Sequence, residues 1–113
     1  YEEFEMEDNL ELLIIAYGSV SLAAKEAIKE LRKEGVKVGL FRPITLWPSP
    51  EEKLAELGEK YKTILVAEMN KGQYLQEIQR AMGRKDLHTL LKANGRPISP
   101  TEFKRKIKEI LGK

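Results

Sequence analysis

Four short apolar runs, each followed by a segment of helical periodicity, limit what this chain can fold into more than any other feature. Residues 10–17 are near-continuously apolar around Ile14 and Ile15 and predict a strand covered on both faces. From Val20 the apolar positions Ala23, Ala24, Ala27, Ile28 and Leu31 form a helical stripe, with Ser19 or Ser21 as the expected cap and Gly35 as the left-handed stop. Residues 36–41 alternate as a second strand. After a proline-bearing connection, Pro50 is expected at the first helical position with Ser49 as cap, Glu51 and Glu52 favouring the helix dipole, and Leu54, Leu57 and Tyr61 facing inward. Residues 63–67 are a third strand, and Leu75, Ile78 and Met82 mark a third helix ending at Gly83. A weaker fourth strand spans 87–91. Residues 94–97 read as a turn, and Ser99-Pro100-Thr101-Glu102 is a capping box opening a last helix with Phe103, Ile107, Ile110 and Leu111 inward. The alternation predicts an α/β fold, a three-layer sandwich with a mainly parallel sheet.

At 113 residues the chain is expected to form one domain, spanning 10–113. Residues 1–9 carry five acidic residues within the first eight and read as a solvated lead-in or linker from an upstream domain. The first residue is Tyr1, which suggests a fragment or processed chain. Twenty basic residues against 18 acidic ones leave a net charge of +2, too balanced to argue for nucleic acid or an anionic membrane. With no cysteine, the chain cannot hold a disulfide, a Cys-ligated zinc or an iron–sulfur cluster through its own thiolates. The longest apolar run is far short of a membrane span, and no signal peptide is visible. A cytoplasmic location is the expectation.

In parallel α/β sheets function gathers at the carboxyl ends of the strands. Three loops lie there, opening at Tyr17-Gly18-Ser19, Arg42-Pro43 and Glu68. The first could hold a phosphate on free N–H groups, but it lacks the spacing of a dinucleotide fingerprint or P-loop, and a capped tight turn is the preferred reading. The second runs Arg42 to Pro50 and holds three of the five prolines and the only tryptophan. That is a long, stiff crossing where two to six residues would do. Trp47, between Leu46 and Pro48, either caps the core or anchors an interface, and the two are compatible. In the third loop, Glu68 would need a second acid, a histidine or a metal beside it to act as a general base. None is evident, and hydrogen bonding that orders the loop or meets another chain is preferred. His88, the only histidine, has no second ligand in regular spacing and reads as a surface residue. The run Lys104, Arg105, Lys106 and Lys108 reads as a solvated face without interleaved aromatics. No nucleophile–base pair, metal cluster or cofactor loop emerges from the residues.

Taken together, residues 13–19, Phe41-Arg42-Pro43-Ile44 through Trp47-Pro48, and Val66-Ala67-Glu68-Met69-Asn70 with Gly72-Gln73 resemble the C-terminal part of the alpha subunit of 2-oxoacid:ferredoxin oxidoreductases. The tail Asn94-Gly95-Arg96-Pro97-Ile98-Ser99-Pro100 resembles that family too, and 2-oxoglutarate-type alpha chains are the nearest pattern. The resemblance implies a domain like the C-terminal domain of transketolases, packed beside thiamine-binding domains. It implies a parent enzyme that decarboxylates a 2-oxoacid, forms acyl-CoA and reduces ferredoxin. Thiamine diphosphate, Mg²⁺, iron–sulfur clusters and CoA are then cofactors or substrates of the parent, held outside this chain. The implied partners are an upstream thiamine pyrimidine-binding domain, the beta subunit and ferredoxin. Tyr17, Gly18, Ser19, Arg42, Pro43, Trp47, Pro48, Glu68, Asn70, Gly72 and Gln73 become an assembly rim. Arg42 is expected to pair with a carboxylate of a neighbour, and Glu68, Asn70 and Gln73 to offer hydrogen bonds.

The competing readings are the corresponding domain of a transketolase or a 2-oxoacid dehydrogenase E1 component, and a free-standing α/β binding module. A response-regulator receiver needs clustered acids, and a flavodoxin a hydroxyl-rich loop, where Tyr17-Gly18-Ser19 stands. Replacing Trp47 by Ala is expected to weaken assembly with a partner subunit, measured by co-purification, more than it lowers the chain's own melting temperature. The reverse result would make Trp47 a core residue.

Overall fold

The computed structural model describes residues 1–43, 50–69, 72–92 and 96–113, with the side chain of Gln73 outside that description. Nine elements follow in the order β1 (Glu2–Phe4), β2 (Leu12–Ala16), α1 (Val20–Lys33), β3 (Val38–Arg42), α2 (Glu51–Lys60), β4 (Ile64–Glu68), α3 (Gln73–Met82), β5 (His88–Leu91) and α4 (Pro100–Leu111). The strands form one sheet in the order β1-β3-β2-β4-β5. All its pairings are parallel except that of β1 with β3.

Strand β2 lies at the centre, with Ile14 opposite Leu40 of β3 on one side and Leu65 of β4 on the other. All five of its residues are buried, as a strand covered on both faces requires. Strand alternation divides its side chains between two cores. Leu12, Ile14 and Ala16 pack with α1 residues Ala24, Ala27 and Ile28 and with Phe103 and Ile107 of α4. Leu13 and Ile15 pack on the opposite face with Leu54 and Leu57 of α2 and Ile78 of α3. The three-layer α/β sandwich expected from the sequence is therefore the observed architecture, with α1 and α4 on one face and α2 and α3 on the other. Among the described residues no helix is long and apolar enough to cross a membrane.

The N-terminal segment departs from expectation. Residues read as a solvated lead-in instead supply β1, which covers the edge of β3 with Glu3 opposite Phe41. Its charges are absorbed by basic groups on neighbouring elements: Glu2 pairs with Lys25 at 2.7 Å, and Arg32 donates to the Glu5 carbonyl at 2.8 Å and to Glu7 Oε1 at 3.1 Å. The Tyr61 hydroxyl donates to the Glu7 carbonyl at 2.6 Å. A count of acidic residues could not foresee this, because the matching cations lie far along the chain.

The helix ends show smaller differences. Ser99 and Glu102 form the expected capping box, but Ser19 caps α1 without a side-chain bond, and the Ser21 hydroxyl donates back to the Gly18 carbonyl at 2.8 Å. Pro50 is the residue preceding the helix rather than its first member. The basic run on α4 is not simply solvated. Lys104 and Lys108 reach across to Glu34 at 3.0 and 2.6 Å, tying α4 to the end of α1. Arg84 went unremarked in the sequence, yet its guanidinium donates to the carbonyls of Gly58, Tyr61 and Lys62 at 3.0, 2.7 and 2.7 Å and so closes the C-terminus of α2.

The chain before β2 crosses β3 closely at Gly39, where a Cβ would stand 2.7 Å from Leu10 Cδ1 and 2.9 Å from the Glu5 carbonyl oxygen. Because one of those atoms is backbone, Gly39→Ala is expected to destabilise the chain by about 1–3 kcal/mol, the usual cost of overpacking. A lower urea midpoint with an unchanged slope would show it, whereas an unchanged midpoint would mean that residues 5–10 are not held against the sheet.

Candidate functional site

Strands β2 and β4 are neighbours, and Ala16 is opposite Ala67 at their carboxyl ends. Beyond that pair the chain diverges. The loop after β2 rises into α1 on one face, and the loop after β4 into α3 on the other. This divergence opens a crevice at the point where strand order reverses, the usual place for a binding site in a parallel α/β sheet.

Glu68, the last residue of β4, is 1% exposed. Its two carboxylate oxygens accept from the backbone N–H groups of Tyr74 at 3.2 Å and Leu75 at 2.8 Å, in the first turn of α3. A buried carboxylate is tolerated here because two charge-assisted bonds and the positive end of the helix dipole replace its hydration. Its backbone oxygen accepts from Lys92 N–H at 3.1 Å, which fixes the exit of β5 to the same point. Gly72 precedes the helix at φ +98°, a conformation that would strain any residue with a Cβ. That turn lets the chain double back so that Glu68 sits under the helix it caps.

On the other wall, Gly18 turns at φ +59° and leads into α1. Tyr17 is half-buried and its ring stacks on that of Tyr74, with centroids 4.1 Å apart and planes 15° from parallel. Burial pushes the Tyr17 phenol up to about 12, with smaller contributions from Tyr74, Glu68 and Glu77. Between the walls lies an open crevice of about 200 Å³, lined by residues 17–20 on one side and by Glu68, Met69 and Tyr74 on the other.

The residues singled out in the sequence fall into three groups. Tyr17, Gly18, Ser19 and Glu68 line this crevice, and Gly72 sets the turn into α3 beside it. Glu68, expected to offer hydrogen bonds along the rim, is turned inward and used up by α3. Arg42 is the last residue of β3 and Pro43 follows it, and neither lines the crevice. Pro43 is buried, and Arg42 faces Glu2 of its own chain at 3.8 Å, with its buried Nε lacking a hydrogen-bond partner among the described residues. Trp47, Pro48 and Asn70 lie outside the described residues, as does the side chain of Gln73, the first residue of α3. His88 is exposed. Tyr74 was missed, because nothing local in Gly72-Gln73-Tyr74 announces a stacking partner on a distant loop.

The site does not fit a thiamine diphosphate or its metal. Among the described residues no group of three or more His, Cys, Asp or Glu is placed to hold an ion. The crevice is also below the roughly 300–1,000 Å³ usual for cofactor pockets.

Residues 11–103 match the protein family described as pyruvate:ferredoxin oxidoreductase core domain II. The chain belongs to that family. It is 42% identical over 112 residues to ketoisovalerate oxidoreductase subunit VorB of Methanothermobacter marburgensis, an alignment covering 99% of this chain and 32% of that subunit. The chain thus spans about a third of that relative's length. Its fold superposes at a TM-score of 0.83 and 29% identity on a chain of 2-oxoglutarate:ferredoxin oxidoreductase from Magnetococcus marinus, solved with 2-oxoglutarate, coenzyme A and succinyl-CoA bound, covering 96% of this chain and 19% of that one. A split-gene transketolase matches at a TM-score of 0.73 and 18% identity over 89% of this chain and 38% of its own, a likeness of fold alone. The resemblance drawn from the three loops and the tail is thereby established at the level of the family, and the transketolase-like fold with it.

Within this core domain II fold, Glu68 is the group on which the crevice geometry turns. Glu68→Ala is expected to cost about 1–3 kcal/mol, because two buried N–H groups lose their acceptor. Hydrogen exchange should speed at the Tyr74 and Leu75 amides before it does in β2. Unchanged protection at those two amides would show that the carboxylate is not what orders the helix start.

Proposed function

We propose that this chain is the non-catalytic assembly domain of the alpha subunit of a thiamine-diphosphate-dependent 2-oxoacid:ferredoxin oxidoreductase, working in the cytoplasm. Its carboxyl rim packs against an upstream thiamine pyrimidine-binding domain and the beta subunit. The parent enzyme decarboxylates a 2-oxoacid oxidatively, transfers the acyl group to CoA and passes the electrons through iron–sulfur clusters to ferredoxin. Thiamine diphosphate and Mg²⁺ are held by other domains.

The observation that carries this reading, beside the family match, is the fate of Glu68. Glu68, the one carboxylate lining the crevice among the described residues, has both oxygens bound to backbone N–H groups. A general base must be free to take a proton from a substrate within hydrogen-bond reach. Glu68 is instead a structural member that fixes the shape of a surface.

For the substrate, 2-oxoglutarate is the reading drawn from the sequence pattern, and the bound ligand of the Magnetococcus marinus enzyme agrees with it. The 42% identity to a ketoisovalerate oxidoreductase subunit favours a second reading, a branched-chain 2-oxoacid. The complete alpha subunit containing this domain, assembled with its beta subunit, is expected to reduce ferredoxin with a 2-oxoacid and CoA. The ratio of kcat/KM for 2-oxoglutarate and ketoisovalerate then decides between the substrates. The chain alone is expected neither to turn over either acid nor to bind thiamine diphosphate with Mg²⁺ by calorimetry. Tight binding or unaided turnover would overturn the assignment.

A further inference from the structure

The crevice between the starts of α1 and α3 has the position of a phosphate site but not its chemistry. Helix N-termini hold anions through N–H groups that have no other partner. In α3 the Tyr74 and Leu75 N–H groups already donate to Glu68. In α1 the Ser21 N–H donates to the Gly18 carbonyl at 3.2 Å and the Leu22 N–H to the Ser19 carbonyl at 3.1 Å, so the first turn closes on itself. What the crevice offers instead is the Tyr17–Tyr74 aromatic pair, the thioether of Met69 and the field of a buried carboxylate. No Lys or Arg lines it among the described residues.

We infer that this crevice receives the arginine side chain of a neighbouring protein segment, with the guanidinium lying against the Tyr17–Tyr74 pair. The inference rests on the assembly reading above and names the chemistry of the contact. Size favours it, because about 200 Å³ is below the roughly 300–1,000 Å³ of ligand and cofactor pockets and suits one long side chain. Charge favours it, since the Glu68 carboxylate lies at the crevice and no Lys or Arg lines it among the described residues. Arginine is preferred to lysine because its planar, weakly hydrated head stacks on an aromatic face and loses less on leaving water. Glu68 acts through its field alone, its oxygens being buried and bound.

The test uses the chain itself and three small probes followed by amide and aromatic NMR: N-acetyl-L-arginine amide, N-acetyl-L-leucine amide and inorganic phosphate. The arginine probe is expected to shift Gly18, Ser19 and the Tyr74 ring saturably, with half-saturation on the order of 10 mM as suits a single side chain. The other two probes should leave those signals in place. Tyr74→Leu should abolish the response. Met69→Arg, which supplies a guanidinium from within, should also abolish it and guards against a folding defect in the first variant. Phosphate acting on Gly18 and Ser19, leucine amide matching arginine amide, or no response to any probe would each overturn the inference. Assembly of the subunits without an arginine response refutes the crevice contact and leaves the assembly reading standing. An arginine response in a chain that joins no partner does the opposite.

Discussion

The rest of this structure depends on the burial of β2 between β3 and β4. Five residues without a polar side chain, hydrogen-bonded on both edges and packed on both faces, form the central strand of the sheet and contribute to both cores. Each fully buried Leu or Ile there contributes about 1.5–3 kcal/mol of transfer free energy. The strand's position also decides where the crevice falls. Because β2 sends its helix to one face while β4 sends its own to the other, a gap must open between their carboxyl ends.

What fills the margins of that gap follows from the need to satisfy polar groups near a buried edge. A helix starting there exposes unpaired N–H groups, and the two helices solve this differently. α3 borrows a carboxylate from the strand that precedes it, and α1 folds its first turn onto its own carbonyls. Both solutions remove the donors that an anion would use. The edge of the sheet is managed in a similar spirit, with β1 laid antiparallel along β3, its Glu2 paired with Lys25, and Glu5 and Glu7 just after it paired with Arg32. An open β3 edge would have been a template for pairing with another chain.

Much of the fold was legible in the sequence because it rests on local signals. Apolar runs of strand length, stripes of helical period, a proline-bearing capping box at Ser99 and left-handed glycines at 35 and 83 each act within a few residues. The family was legible as well, since the order and spacing of three loops and a tail survive in the linear chain. The site was legible in part. Tyr17-Gly18-Ser19 and Glu68 could be placed at strand ends, but not the direction in which the Glu68 carboxylate turns, nor the stacking of Tyr17 on Tyr74.

The sequence by itself determined which segments become strands and helices, and that they build a parallel sheet covered on both sides. Hydrophobic period and capping chemistry are written residue by residue. Tertiary structure alone decided that residues 2–4 close a sheet edge, that Arg84 ends α2, and that Tyr17 of one loop and Tyr74 of α3 face one another. Those contacts join groups far apart in the chain. Only the finished sheet, by setting the spacing and direction of its strand ends, brings them within reach.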